Sequence, residues 1–322
     1  NCRFRENEGN EGGALGVYES SPTITGCEFT ENYASAQFGG AVYVVDGAPA
    51  FSNCLFQNNA CRDDGGAVAN VGYECAPSFE YCRFEANTSD YGRPGSAVKN
   101  YSAAPTYVGC EFVGNGSVSA DGAAVADLYS ESRYFRCVFT ANRARQSSAG
   151  IESDGAHLIV SGCVFDGQQS LEAEGAAISA KDSDLTLTNC TLVANQASEM
   201  AGAVYLAGTT SASIANSIFW QNVSSNAPDL AVVQTASVSV TNCILQGGVE
   251  NIHRECATPV VELGTNLAED PQLVAIGSWN ENGTPDELSD DVWQPGDHHL
   301  TPTSPGIDAG DTGHPAEDLS HG

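Results

Sequence analysis

The chain has 322 residues, enough for one large or two ordinary domains with a sizeable core. Its 41 Asp and Glu against 12 Lys and Arg give a formal net charge of −29, which argues against nucleic acid or an anionic membrane as partner, since both demand basic surface. Low charge density (16 %), a single Met and 34 Gly suit an extracellular β-rich protein, and no run of about 20 apolar residues is available to span a bilayer.

In chain order, the sequence opens inside a repeat. "NCRFREN" at Asn1 has the skeleton of "GCEFTEN" from Gly26 and "NCLFQNN" from Asn53, which implies further sequence upstream. A cysteine column runs through Cys2, Cys27, Cys54, Cys82, Cys110, Cys137, Cys163, Cys190 and Cys243, with Ser217 standing in once, at spacings of 25 to 28 residues. Two residues on stand Phe4, Phe29, Phe56, Phe84, Phe112, Phe139, Phe165, Leu192, Phe219 and Leu245. Five residues on stand Asn7, Asn32, Asn59, Asn87, Asn115, Asn142, Gln168, Asn195 and Asn222. Three residues before the cysteine come Ile24, Phe51, Phe79, Tyr107, Tyr134, Val160, Leu187, Ile214 and Val240. About twelve before it, a small-residue step leads into Leu15, Val42, Val68, Val98, Val125, Ile151, Ile178 and Val204.

Cys and Phe share the two-residue parity of a strand and so point inward together. The apolar residue three before the Cys has the wrong parity for that strand, so a bend must intervene. The position just before the Cys holds Asn or Gly in eight repeats, with Tyr81 and Arg136 as exceptions. Asn and Gly enter the left-handed region cheaply, which marks a corner. Each repeat therefore reads as three short strands, with no helical periodicity and no leucine ladder. What remains is an all-β parallel β-helix solenoid of about 9–10 coils of ~27 residues over 1–248, each coil bonded to the next at about 4.8 Å. Residues 249–322 form a C-terminal segment.

The columns resemble the right-handed parallel β-helix proteins of the pectin-lyase-like superfold, particularly the N-C-x-F-x-x-N…G-G-A-V-Y repeats of secreted bacterial surface proteins. The resemblance covers residues 1 to about 248 and implies an extracellular or cell-surface setting. It leaves function open, because the superfold hosts lyases, hydrolases, adhesins and binding proteins.

The cysteines at Cys27, Cys54, Cys82, Cys110 and Cys190 read as part of a buried thiol ladder. Stacked parallel Cα–Cβ vectors about 4.8 Å apart do not suit a disulfide, and a small residue such as Ser217 can substitute. Cys61 and Cys75 lie off the ladder and are equally compatible with a disulfide or with two thiols; Cys256 stands alone. The amides Asn59, Asn87, Asn115 and Asn195 read as an internal stack satisfying turn backbone, not as glycosylation sites. Zinc spacing is absent.

After Cys243 the repeat decays. "DPQL…GDHHLTPTSPGIDAGD" resembles the C-terminal module of "choice-of-anchor" surface proteins, and relative to that pattern it looks cut short. Trp279 and Trp293 are expected to lie across the end of the rod as a cap over its open strand edges. The competing reading gathers Asp297, His298, His299 and Asp308 around calcium or another cation.

In the resembling enzymes, substrate lies on the outer face of one sheet. With the Val column inward, one outward column is Gly16, Tyr43, Ala69, Lys99, Ala126, Glu152, Ser179 and Tyr205, and a second is Tyr18, Val45, Val71, Tyr101, Leu128, Asp154, Lys181 and Ala207. Tyr18, Tyr43, Tyr101 and Tyr205, with Lys99, Glu152, Asp154 and Lys181, are candidate contacts for an extended glycan on an adhesive or structural rod. The alternative is a polysaccharide lyase or glycoside hydrolase using Glu152 and Asp154 with Lys181 or Lys99. A hydrolase needs two carboxylates across the bond, and a lyase a base plus a cation or Ca²⁺. The Asn-Thr-Asp, Asp-Asp, Gly-His-Gly and Arg-x-Lys set of polygalacturonase-like hydrolases is missing, which favours the non-catalytic reading. No cofactor is required by that reading. The expected partner is a polysaccharide or cell-surface glycan, neither nucleic acid nor membrane, and the rod is expected to be a monomer.

Overall fold

The structure, a computed structural model, describes residues 1–310 except 37, 91–94, 118, 120–121, 256–259, 285–286 and 308. Cys256 and Asp308 therefore lie outside the described residues. The chain winds into a right-handed parallel β-helix with three long sheets, ten strands each among the described residues. Sheet 1 carries the Cys-x-Phe strands, from Arg3–Arg5 to Ile244–Leu245. Sheet 2 carries the Val strands, from Leu15–Tyr18 to His253–Arg254, and sheet 3 the strands from Thr23–Thr25 to Val260–Leu263. Columns lie in register from coil to coil, Phe84 opposite Phe56 and Phe112, Phe79 opposite Phe51 and Tyr107. The one helical element among the described residues is a 3-10 turn, Val249–Asn251.

The corner before each cysteine is left-handed whatever residue occupies it: φ runs from +51 to +64° at Gly26, Asn53, Tyr81, Gly109, Arg136, Gly162, Asn189, Asn216 and Asn242. Tyr81 and Arg136 thus accept a conformation that costs roughly 1–2 kcal/mol for an ordinary L-residue, because ladders on both sides fix the backbone. Two further left-handed corners per coil carry no single residue type. One precedes the amide column (Glu31, Asn58, Ala86, Ala141, Ala194, Gln221) and one follows the sheet-2 strand (Asp46, Ser102, Tyr129, Asp182).

Inside the coil, Phe4, Phe29, Phe56, Phe84, Phe112, Phe139 and Phe165 form a stack with ring centroids 4.6–4.9 Å apart. Beside it the amides form a chain interrupted once, at Gln168, where the side-chain NH2 turns to the Phe139 and Asp166 carbonyls and the backbone N–H makes the link to Asn195. Asn87 Nδ2 donates to Asn115 Oδ1 at 3.0 Å and to the Phe56 carbonyl at 2.9 Å, and the Asn87 backbone N–H donates to the same Asn115 oxygen at 3.0 Å. Asn59 and Asn195 sit in the same chain, fully buried.

The ladder cysteines are more than apolar filler. The Cys137 N–H donates to Cys163 Sγ at 3.3 Å and the Cys163 N–H to Cys190 Sγ at 3.4 Å. Cys190 N–H in turn donates to Ser217 Oγ at 3.1 Å, and the Ser217 hydroxyl donates to the Ala215 carbonyl at 2.8 Å. Thiol and hydroxyl each offer a donor and an acceptor, which explains why Ser fits and an apolar residue would not. Cys163→Ala, by orphaning the Cys137 amide, should cost about 1–3 kcal/mol, whereas Cys163→Ser should stay within about 1 kcal/mol, both read from urea midpoints. Cys61 and Cys75 are both buried thiols, with no disulfide joining them. Burial pushes each up to about 11, which leaves them poor nucleophiles.

Strand pairing continues past residue 248. Val260–Leu263 pairs with Ser237–Thr241, and Leu267 bridges to Ile244, so a further partial coil closes that end of the winding. The expectation that Trp279 and Trp293 cap the end is corrected here: both lie along the side of the rod. Two antiparallel pairs, Ser278–Asn280 with Val292–Gln294 and Leu273–Ala275 with Asp297–Leu300, build a ribbon there. The physical reason is the outer face of sheet 1. One of its two outward columns is mostly charged in the early coils (Arg3, Glu28, Leu55, Arg83, Glu111) and uncharged later (Val138, Val164, Thr191, Ile218, Ile244), while the other supplies Asp166 to the ribbon. Gly167 admits the Trp293 ring, since a Cβ there would come within 2.5 Å of it.

Candidate functional site

The outer face of sheet 2 has two layers of different character. The column of Tyr43, Lys99 and Glu152, expected to face solvent, is covered by the turn that leads into each strand. Phe38 from that turn stacks on Tyr43 with ring centroids 5.6 Å apart, and burial pushes the Tyr43 hydroxyl up to about 12. The Gly-Gly step makes the fold-back: Gly39 and Gly65 take φ of +66° and +70°, and a Cβ on Gly40 would sit 2.0 Å from the Gly66 carbonyl oxygen. Tyr43 and Lys99 are accordingly withdrawn from any surface contact, and Tyr205 is half-buried.

Beneath the cover, Lys99 Nζ lies 3.5 Å from Asp64 Oδ2. Two coils further in the same column, across the small Ala126, stands Glu152. Burial pushes its carboxyl up to about 7, against a hydrogen bond from Ser147 and the charge of Lys99, which pull the other way. Its Oε2 has neither solvent nor a hydrogen-bond partner among the described residues. Of the proposed catalytic trio, Glu152 and Asp154 are both half-buried on one strand, Glu152 with one oxygen shielded, and Lys181 is exposed on the next coil, in register with Asp154.

The interior of the same sheet holds a polar network that the outward columns do not reveal. Asn70 Nδ2 donates to Asn100 Oδ1 at 2.8 Å, and Asn100 Nδ2 to Asp127 Oδ1 at 2.8 Å. Tyr107 OH donates to Asn100 Oδ1 at 3.1 Å and Tyr134 OH to Asp127 Oδ2 at 2.7 Å, with Ser132 as a third donor to Asp127. Desolvation raises the Asp127 carboxyl although all three donors favour its charged form. A sequence signal existed. The inward column Val17, Val44, Asn70, Asn100, Asp127, Ser153 turns polar, and the facing column changes from Phe51 and Phe79 to Tyr107 and Tyr134 where hydroxyls are needed.

The second outward column stays accessible. Tyr18 and Tyr101 are exposed (54 % and 44 %), separated by half-buried Val45 and Val71 in register, with Leu128 next along. Tyr129, at the adjoining corner and 60 % exposed, meets Tyr101 edge-on at 6.0 Å. Its ring lies over Gly155, where a Cβ would approach within 2.7 Å. Three coils at about 4.8 Å place Tyr18 and Tyr101 roughly 14 Å apart along the rod.

Along the rod–ribbon seam, Trp293 Nε1 donates to Asp166 Oδ2 at 3.0 Å and Arg143 Nη1 to the Leu288 carbonyl at 2.5 Å. The Arg143 guanidinium sits 4.0 Å over the Trp279 ring. The described residues of the competing cation reading, Asp297, His298 and His299, do not converge. His298 turns inward, with Nε2 3.4 Å from Asp166, while His299 turns outward to Asp297 at 2.6 Å, as strand alternation requires. Among the described residues no group of three His, Cys, Asp or Glu is placed to hold a metal, and no helix is long and apolar enough to cross a membrane.

A family model described as the right handed beta helix region matches residues 1–143. Searches of curated proteins and of solved structures found no match.

Proposed function

We propose that this right-handed parallel β-helix protein is a non-catalytic, extracellular rod that binds an extended neutral polysaccharide along the rim of sheet 2. The observation that carries the reading is the row of exposed tyrosine faces, Tyr18, Tyr101 and Tyr129, set on a rigid ladder with apolar Val45, Val71 and Leu128 in the same stripe. Flat aromatic faces held at fixed intervals suit a chain of sugar rings, and holding them on strands keeps the ordering cost of binding low. A net charge of −29 favours neutral glycans over polyuronates. Lys181 and Asp154, at the edge of the stripe, are available to hydroxyl groups.

Affinity electrophoresis against soluble neutral polysaccharides tests the reading. Tyr101→Ala and Tyr129→Ala should each weaken retardation about 5- to 10-fold, in line with roughly 1 kcal/mol for one aromatic contact. Glu152→Gln should leave retardation unchanged, because the side chain is half-buried in the neighbouring column, outside the tyrosine stripe. Release of reducing ends or unsaturated uronate that disappears in Glu152→Gln would overturn the non-catalytic reading in favour of a lyase or hydrolase.

A further inference from the structure

We propose that the seam between the rod and its C-terminal ribbon is a binding site for a single neutral sugar unit, held between Trp279 and Gln169. The proposal is independent of the tyrosine rim, which lies on a different sheet. Trp279 and three side chains around it carry buried atoms with no hydrogen-bond partner among the described residues: Arg143 (Nε and Nη2), Trp279 (Nε1), Gln169 (Oε1) and Asp291 (Oδ1). Arg143 and Gln169 are themselves more than nine-tenths buried, with 9 % and 7 % of their surface accessible. The Asp291 carboxylate reaches Arg143 Nη2 only at 3.5 Å, an ion pair that leaves its other oxygen unused. Orphaned groups of this kind cost about 1–3 kcal/mol each, so four in one seam are a substantial deficit for the rod alone.

The chemistry of the missing partner follows from the mixture. Two of these side chains donate, Arg143 through two atoms, and two accept. A cation would serve only the carboxylate and amide oxygens, and an anion only the guanidinium and indole N–H groups. An apolar ligand would serve none. Vicinal hydroxyl groups donate and accept at once, and the C–H face of a pyranose suits an indole ring. Access is provided by two grooves that meet at the ribbon. One, of about 410 Å³, is lined by Arg143, Trp279 and Asp291 together with Gly116 and Ala141. The other, of about 400 Å³, is lined by Gln169, Trp279 and Asp291 together with Gln196 and Gln221. Trp293 fixes the ribbon through Asp166, so Trp279 is presented on an anchored element.

The test is a titration of the whole chain with neutral monosaccharides (glucose, galactose, mannose, xylose, N-acetylglucosamine), read by tryptophan fluorescence and by calorimetry. A saturable response to at least one sugar is expected. Gln169→Met and Trp279→Phe should weaken it about tenfold or more, equivalent to about 1.4 kcal/mol, with melting curves showing each variant folded. Tyr101→Ala should leave this response intact while weakening polysaccharide retardation, which separates failure of the seam site from failure of the rim. No calorimetric or fluorescence response to any sugar in the panel would overturn the proposal. A crystal structure in which the unpartnered atoms of these four side chains are satisfied by ordered water alone, at saturating sugar, would do the same.

Discussion

Asn115→Ala is expected to destabilise the rod by roughly 3 to 6 kcal/mol, because one side chain serves three buried groups at once. Its oxygen accepts from both the backbone N–H and the side-chain amide of Asn87, and its own amide donates to the Phe84 carbonyl at 2.9 Å. All of these groups are buried, so water cannot replace the lost partner. Gln168 shows how narrow the tolerance is: one methylene longer, it still accepts from Asn142 at 2.9 Å and donates to the Phe139 carbonyl at 2.8 Å, so the amide matters and its reach can stretch. Asn7→Ala, on the exposed first coil, should cost well under about 1 kcal/mol, since its groups are open to solvent. Urea denaturation monitored by far-UV circular dichroism compares the two. Equal, small changes in midpoint would mean that the amide column is not what holds the turns.

The second large effect is a loss of stability as pH rises. Burial pushes both Glu152 and Asp229 up to about 7, and it raises Asp127 as well. Asp229 accepts hydrogen bonds from the Asn222 side chain and the Gln246 backbone, each at 2.9 Å, and desolvation still wins. Unfolded carboxyls titrate near 4, so between about pH 4 and 7 the folded chain holds protons that the unfolded chain has released. The number of protons bound is then larger in the native state, and unfolding free energy falls with rising pH across that window. The ceiling is roughly 3 to 4 kcal/mol for each of Glu152 and Asp229, because every tenfold gain in proton affinity on folding is worth about 1.4 kcal/mol. Self-repulsion at −29 acts in the same direction. The urea midpoint should therefore be higher at pH 5 than at pH 8, and the slope should flatten in the Glu152→Gln/Asp229→Asn double variant. A midpoint that climbs with pH would show that these carboxyls are hydrated in the folded chain.

Much of the architecture was readable because a solenoid repeats its constraints. Cys, Phe and Asn recur at fixed offsets since each must meet its own kind one coil away, and period-two parity separates inward from outward positions. The left-handed corner before each cysteine was visible wherever Asn or Gly occupied it; at Tyr81 and Arg136 the ladders impose it on residues that do not favour it. The two remaining corners were hidden because residues such as Glu31, Ala86 and Tyr129 hold them, and backbone bonds to neighbouring coils supply what side-chain preference does not. Cys163 and its neighbours read as small apolar residues in the sequence, yet they accept backbone N–H groups, a role at which Ser217 already hinted.

At the candidate site, parity alone fell short. It placed Tyr43, Lys99 and Glu152 on the outer face, and they do point outward; parity cannot say what lies on top of them. The turn carrying Phe38, Asp64 and Ser147 folds over that column because Gly39–Gly40 and Gly65–Gly66 let the chain double back, which buries Tyr43 and Lys99 and half-buries Glu152. Likewise Trp279 and Trp293 were legible as apolar and in need of cover, yet which surface they cover depends on the uncharged column that follows Glu111 on sheet 1, on the Asp166 carboxylate and on the gap at Gly167. The sequence by itself determined the winding, the ladders and the direction of each strand residue, since these follow from local parity and a fixed coil-to-coil distance. Only the tertiary structure decided what is exposed, because burial of an outward-facing residue depends on segments that return from elsewhere in the chain, and no periodicity records where they land.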